Sequence, residues 1–203
     1  MSSPHKGKHA PNRVQLSYQL IRNTTSPDEK SIGVQSFVAN LAATEILKFN
    51  TKDNLRSYLA EYDARKRNRV HDAIRETIEK EPERFIVRNS GFVITASEIK
   101  LDDNAKIAVL IEPSIINGAQ SQGEIRKYLK ELEDEGELDA DDVPFYVRAS
   151  IIIDPDDDEV VETAIARNIA TPIKSLTEAG ARNQLDELEE NIQQVLGPDA
   201  KIR

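Results

Sequence analysis

Residues 106–133, KIAVLIEPSIINGAQSQGEIRKYLKELE, contain the change of periodicity that decides the fold. Two short apolar runs, 106–111 and 114–116, have the length and the β-branched content of buried strands. Gly118 ends the second run, and residues 121–133 then place apolar side chains at the spacing of one helical face. These side chains are Ile125, Tyr128, Leu129 and Leu132. The stretch therefore predicts two strands, a tight loop and an amphipathic helix.

The same two periodicities extend the prediction along the rest of the chain. Strands are predicted at 13–22, 85–87, 92–95 and 145–153, and helices at 31–49, 68–80, 157–168 and 175–196, with a short helix or turn at 53–62. Loops are predicted at 23–30, at the acidic residues 131–142 and at 88–91, the last as the turn of a hairpin. This order predicts an α+β fold, in which helices flank a mixed β-sheet and further helices lie toward both termini.

The predicted domain organisation follows from these elements. Residues 1–12 are polar and lack periodicity, which predicts a disordered tail. The remainder, 13–203, is predicted to form a single α/β domain. Its parts are a helical N-terminal part at 31–80, a strand-rich core at 84–153 and C-terminal helices at 157–196.

The composition argues against several classes of site. The chain has no cysteine, which excludes disulfides and thiol catalysis and fits a reducing, cytoplasmic location. It has only three histidines, which argues against a histidine triad or a two-histidine metal site. The net charge of −9 argues against a surface that is basic throughout, as duplex DNA binding requires, but a local basic face such as 65–69 stays open. No apolar run approaches the length of a membrane span.

The loop Asn117–Ser121 is the first candidate site, because it joins a strand to a helix. Gly118 would let the backbone approach a ligand, and Ser121 would cap the helix, whose positive end favours a phosphate. Asn117, Gln120 and Gln122 add neutral donors and acceptors. An ordinary strand-to-helix turn with a cap explains the same residues equally well, so the spacing alone leaves both alternatives open.

Three further segments carry polar residues, and each has a structural alternative. Asn89 lies in the predicted hairpin turn, where a purely structural role is the simpler explanation. Arg167, Asn168 and Lys174 suit phosphate, although basic residues also suit the end of a helix. The carboxylates of 154–159 lack the spacing of a calcium loop and are better explained as acids at a helix N-terminus. No catalytic residue and no metal ligand is predicted.

Taken in order, five segments resemble the AIPR (abortive infection phage resistance) family. They are Asn54 to Leu59, Asn68 to Ile78, Phe85 to Phe92, Ser114 to Ser121, and Arg167-Asn168 with Pro172-Ile173-Lys174. Two residues depart from the family pattern. Ser90 replaces an asparagine, and Ser121 replaces a threonine while keeping its hydroxyl. The chain is also shorter than is usual for the family, so activity is expected to need a partner or a longer parent protein.

The resemblance implies a phage-defence protein. A more distant similarity to the ParB/sulfiredoxin-like superfamily implies a nucleotide or nucleic-acid site at the Gly118 loop and Asn168, with Mg²⁺ as an optional companion of the nucleotide. The predicted ligand-binding set is Asn89, Asn117, Gly118, Gln120, Ser121, Arg167, Asn168 and Lys174. The alternative is a non-enzymatic regulator that binds a protein partner or a second copy of the chain. A third class, a metal-dependent nuclease, would use Asp154 to Glu159.

Overall fold

Two β-sheets and their flanking helices make up the part of the chain that the computed structural model describes, which is residues 11–51, 69–138 and 143–168. The strands are β1 (Arg13–Ser17), β2 (Leu20–Asn23), β3 (Gln35–Ala42), β4 (Phe92–Ala96), β5 (Glu98–Asp102), β6 (Ile107–Ile111), β7 (Ser114–Asn117) and β8 (Tyr146–Ile153). The helices are α1 (Pro27–Ser31), α2 (Arg69–Lys80), α3 (Phe85–Arg88), α4 (Ala119–Glu135) and α5 (Asp157–Asn168), with 3₁₀ turns at Glu45–Lys48 and Pro82–Arg84. The predicted α+β class with a mixed sheet is confirmed.

One sheet is mixed and the other is antiparallel. The smaller sheet has the order β1-β6-β5, and the larger has the order β2-β3-β8-β4-β7. In the larger sheet only β4 and β8 pair in parallel. A parallel pair needs a crossover connection, and here β5, β6, β7 and α4 all lie between the two strands in sequence. This crossover brings the end of β7 and the start of α4 beside the start of β4.

The core lies on one face of the five-stranded sheet, and its membership follows the alternation of side chains along each strand. In β3 the inward residues are Phe37, Ala39 and Leu41, and Ala39 pairs with Ala149 of β8. The helices α2, α3 and α4 pack onto this face through buried apolar residues. These residues are Ile78, Phe85, Ile125 and Leu129. The opposite face is covered in part by α5, which contacts β7 and buries Ala164 and Ile165.

Several elements differ from their predictions, and the first is the segment 31–49. It forms strand β3 and a 3₁₀ turn instead of a helix, so the predicted helical part at 31–80 is wrong over this segment. The apolar residues Val34, Val38 and Leu41 fit a helical face, but Phe37, Ala39 and Leu41 fit a strand equally well. Pairing of β3 with strands on both sides decides between the two periods.

The predicted strand at 85–87 is also wrong, because these residues form α3. Pro82 starts a 3₁₀ turn that leads directly into this helix. Phe85 is buried whereas Val87 is largely exposed, so apolar residues that suggested a strand lie on opposite sides of a helical turn. Residues 89–91 therefore join a helix to β4 and are not the turn of a hairpin.

Three predicted boundaries also need correction. The predicted strand 13–22 is two strands in different sheets, because Tyr18 donates its N–H to Lys106 in one sheet and Gln19 donates to Asn40 in the other. The predicted loop 23–30 contains α1, whose capping box pairs Ser26 with Glu29. The predicted acidic loop 131–142 is helical as far as Glu135.

The helix predicted at 68–80 and the strands predicted at 92–95 and 145–153 are confirmed, each within one or two residues. The helix predicted at 157–168 is confirmed as well. The predictions at 53–62, 65–68 and 175–196, and most of the 1–12 tail, lie outside the described residues. Asn12, the last residue of that predicted tail, exchanges hydrogen bonds with Glu112.

Candidate functional site

A pocket of about 460 Å³ opens where β4 begins and β7 ends. Its walls come from three separated parts of the chain: α2, the segment from α3 to Gly91, and the loop from β7 into α4. The lining residues are Arg69, Val70, Ala73, Ile74, Thr77, Phe85, Arg88, Asn89, Ser90, Gly91, Asn117, Gly118, Ala119, Gln120 and Ser121. The volume falls in the range of small-molecule sites. The structure thus brings together five of the eight residues predicted to bind a ligand, namely Asn89, Asn117, Gly118, Gln120 and Ser121.

The first turn of α4 forms the polar end of this pocket. Gly118 takes the N-cap position with φ of 110°, and no side chain caps the helix there. Ser121 is already the third helical residue, so its predicted role as the cap is wrong. The first intrahelical bond runs from the N–H of Gln122 to the carbonyl of Gly118, so the N–H groups of residues 119–121, which line the pocket, have no partner within the helix. An uncapped helix start without an acidic residue in its first turn favours an anion.

Asn89 ties the α3–β4 connection to α4. Its Nδ2 donates to the Oγ of Ser121 at 2.9 Å, and its Oδ1 accepts from the N–H of Gly91 at 2.9 Å. Ser121 is 6% exposed, so this contact lies at the base of the pocket. The two residues that were predicted separately are therefore one hydrogen-bonded unit, which fixes the distance between two walls of the pocket.

We expect the Asn89–Ser121 contact to stabilise the fold as a pair. Asn89→Ala should lower the free energy of unfolding by about 1–2 kcal/mol and Ser121→Ala by about 1 kcal/mol, since each removes a partly buried hydrogen bond. The double variant should lose less than the sum of the two, because the same bond is absent from both single variants. Urea unfolding followed by circular dichroism measures this coupling. Strict additivity would show that the contact does not form in solution.

Close packing requires glycine at both pocket positions, 91 and 118. A Cβ at Gly118 would lie 2.5 Å from Cδ1 of the buried Phe92 ring. A Cβ at Gly91, where φ is 83°, would lie 2.7 Å from the backbone oxygen of Arg148. The close approach of a ligand to Gly118 stays a prediction, and the structure adds a second reason for glycine at this position. Its missing side chain makes room for Phe92 at the start of α4.

Two arginines at the pocket give it positive charge, and neither was among the predicted ligand-binding residues. Arg88 lies in α3, and both of its terminal nitrogens bond to the carboxylate of Glu81, one of them at 3.1 Å. These bonds raise the pKa of Arg88 and lower that of Glu81. Arg69, an exposed residue, begins α2 on the other wall. The lining includes no aspartate or glutamate.

Both arginines stand out in the sequence, but the patterns around them predict other roles. Arg88 precedes Asn89 in a segment that was interpreted as a hairpin turn, and Arg69 ends the basic run 65–69. Correct assignment of α3 would have placed Arg88 beside the loop.

Gln122 belongs to the fold and not to the pocket. Its side chain is 2% exposed, and its Nε2 donates to the backbone oxygens of Ile46 and Phe49, both at 2.9 Å. The amide therefore joins α4 to the 3₁₀ turn after β3. Gln120, and not Gln122, is therefore the glutamine of α4 that lines the pocket.

Arg167 is not brought to this pocket. Its charge acts on Glu29, whose carboxylate accepts a hydrogen bond from Ser36 of β3. Ser36 and Asn117 lie on β3 and β7, which are three strand spacings apart, so the separation is on the order of 15 Å. The side chain of Asn168 and all of Lys174 lie outside the described residues.

Two of the carboxylates at 154–159, those of Asp154 and Asp156, accept hydrogen bonds in local turns. The side chain of Asp154 accepts from the N–H of Asp156, whose own side chain accepts from the N–H of Asp158. Within residues 11–51, 69–138 and 143–168, no group of three or more metal-ligating side chains is close enough to hold an ion. These observations agree with acids that stabilise the start of α5.

Comparison with known proteins adds one result to this geometry. The family model described as AIPR protein matches residues 52–196. The chain belongs to the AIPR family. The matched range includes all three walls of the pocket, so the pocket lies within the part of the chain that the family shares. No curated protein and no solved structure matches the chain. Among the described helices, none has the length and apolar character needed to cross a bilayer.

Proposed function

We propose that this member of the AIPR family binds a phosphate-bearing ligand, a nucleotide or nucleic acid, in the pocket between α2, α3 and α4. Membership of the family supports a role in abortive infection and phage resistance. The proposal places the protein in the cytoplasm, where such a ligand is available and a chain without cysteine is suited to the redox conditions. The distant ParB-like similarity is part of this proposal and adds no geometry to it.

The observation that carries the proposal is the charge of the pocket. The molecule carries −9 overall, yet the pocket lining combines two arginines and an uncapped helix start with no carboxylate. A random sample of this surface would contain acids, because they outnumber basic residues by 36 to 27. Glu81 pairs with Arg88 from outside the lining and also pairs with Arg84, so the arginines and the uncapped helix start still leave a local excess of positive charge, which favours an anionic ligand.

The pocket also has an apolar side, which suits the rest of a nucleotide. Val70, Ala73 and Ile74 of α2, together with Phe85, provide apolar surface opposite the polar loop. We assign the phosphate to the start of α4 and to Arg88, and the base to the α2 wall. In this assignment Asn117 and Gln120 would contact the sugar or the edge of the base, and Asn89 and Ser121 would hold the walls in place.

We expect nucleotides to raise the melting temperature of the protein, because a ligand that binds only the folded state stabilises it. A panel of nucleoside mono-, di- and triphosphates, with and without Mg²⁺, tests this by differential scanning fluorimetry. Arg88→Gln should then weaken nucleotide binding about 10- to 100-fold, since a hydrogen bond to a charged group contributes about 1.5–3 kcal/mol.

Arg84→Gln is the matched control for this variant. Arg84 also pairs with Glu81, at 3.0 Å, and is similarly exposed, but it does not line the pocket. It should bind nucleotide as the wild type does. Equal weakening by Arg84→Gln and Arg88→Gln, or no thermal shift with any nucleotide, would contradict the proposal. The latter result would favour the alternative, a non-enzymatic module that binds a protein partner or a second copy of the chain.

A further inference from the structure

The outward face of β2, β3 and β8 is a second surface with unusual composition. Alternation along the strands directs one set of side chains away from the core, and α5 packs near β7 at the far edge of the same sheet. The outward set over these three strands is Leu20, Arg22, Ser36, Val38, Asn40, Ala42, Tyr146, Arg148, Ser150 and Ile152. We call these residues the outer face.

None of the ten residues of the outer face is acidic, although the chain as a whole is strongly acidic. At the other end of the face from Tyr146, Ile152 is buried and the carboxylate of Glu29 in α1 accepts a hydrogen bond from Ser36. Its two charges are Arg22 and Arg148, and both side chains are exposed. Tyr146 is 41% exposed two residues before Arg148 on the same strand, and Leu20 is 36% exposed in the row that contains Arg148. An exposed tyrosine beside an arginine on a sheet is the combination that binds unpaired bases, because the ring stacks on a base while the guanidinium contacts phosphate.

The outer face adjoins the pocket near the start of β4, where Gly91 packs closely against the backbone of Arg148. The Cβ position of Gly91, which lines the pocket, lies 2.7 Å from the backbone oxygen of Arg148 and 3.6 Å from its Cβ. β4 pairs with β8 in parallel, and this pairing begins at Phe92 and Ala149, the residues that follow this contact. A strand that left the pocket past Gly91 would therefore reach Arg148 first and Tyr146 next.

We propose that the pocket holds one nucleotide of a single-stranded nucleic acid and that the adjoining nucleotides lie along the outer face, over Arg148 and Tyr146. This proposal rests on the proposed function, and it selects an unpaired strand over a free nucleotide as the ligand. The strand has to be unpaired because a base that enters the pocket and a base that stacks on Tyr146 cannot remain in a duplex.

The experiment compares two ligands on the full chain. Fluorescence anisotropy with labelled 12-mer homopolymers of DNA and of RNA gives the affinity for a strand, and competition with the matching mononucleotide gives the affinity for the pocket alone. The wild type should bind a 12-mer at least tenfold more tightly than the mononucleotide. The DNA and RNA arms identify which kind of strand the surface accepts.

Two variants separate the outer face from the pocket. Arg148→Gln should weaken binding of the 12-mer about fivefold to tenfold, and Tyr146→Ser should weaken it by a similar factor. The affinity for the mononucleotide should stay unchanged in both variants. Arg148→Gln should also reduce the slope of log Kd against log salt by about 0.7, the value for one phosphate of a single strand. Arg13→Gln is the control, because Arg13 is an exposed arginine on β1 of the other sheet. Thermal melts confirm that each variant is folded.

The possible results distinguish the two proposals. A mononucleotide that binds as tightly as every 12-mer would overturn the outer-face proposal and leave the nucleotide pocket standing. Tight 12-mer binding that is unchanged in both Arg148→Gln and Tyr146→Ser would also overturn it and would leave this face to a protein partner. Binding of neither ligand would overturn the pocket and the outer face together. If binding of the 12-mer is weakened by Arg148→Gln but not by Arg88→Gln, the result would support strand binding at the outer face and contradict binding in the pocket.

Discussion

Gly118→Val should destabilise the protein by about 3–5 kcal/mol, which is a large part of the stability of an ordinary domain. Two costs act at the same residue. A β-branched side chain resists φ of 110°, and its Cβ would overlap the ring of Phe92 at 2.5 Å. Because Phe92 is buried in the core, its ring can move only by disturbing its neighbours. Urea unfolding monitored by circular dichroism measures the loss.

Gly123→Ala is the matched control for this variant. Gly123 lies in α4, and a Cβ there would meet no atom within 4 Å. Alanine at an open helical position should stabilise the protein by about 0.5–1 kcal/mol. The expected stability changes of the two variants have opposite signs. This difference separates the steric requirement for glycine at Gly118 from a general effect of losing a glycine in this region. A Gly118→Val protein as stable as the wild type would show that α4 enters at a different angle from the one described.

Gln122→Met should lower the free energy of unfolding by about 2–4 kcal/mol. Methionine keeps the volume but leaves the oxygens of Ile46 and Phe49 without the amide that bonds to both, and each buried acceptor that loses its donor costs about 1–3 kcal/mol. The oxygen of Ile46 keeps a second hydrogen bond, from the N–H of Phe49, so it should contribute less of the lost stability than the oxygen of Phe49. Chemical denaturation with urea gives the value.

Gln120→Met provides the comparison, since it makes the same change two residues earlier on the same helix. Gln120 is only partly buried and lines the pocket, so its loss should change stability by less than about 0.5 kcal/mol. If Gln122→Met were as mild as Gln120→Met, water would have to replace the amide between α4 and the 3₁₀ turn.

The sequence was sufficient where one element carried its own start and stop. Gly118 separates a β-branched run from a helical face, and Pro82 limits α2, so β7, α4 and α2 were predicted correctly. It failed for β3, whose apolar residues satisfy two periods, because only the partners β2 and β8 select one of them. β2 is the preceding strand, but β8 lies near the end of the described chain, so no local signal reveals that β3 has a partner on both sides.

The candidate site was predicted in part for the same reason. The loop 117–121 is a local feature and was found directly. The proximity of this loop to Asn89 depends on the pairing of β4 with β7, which could not be predicted from the sequence. The choice of arginines depends on tertiary structure as well. Arg167 resembled a phosphate ligand in sequence, but α5 carries it toward Glu29, whereas α3 brings Arg88 to the pocket.

The position of β8 in the larger sheet has a consequence for how the protein is made. β3 is synthesised early, and its long pairing is with β8, which emerges near the end of the described chain. Until then Phe37, Ala39 and Leu41 have no partner strand on that side. Such non-local pairing slows folding and exposes a strand edge that is prone to association. During synthesis on the ribosome, the larger sheet therefore cannot form completely until β8 has emerged and paired with β3.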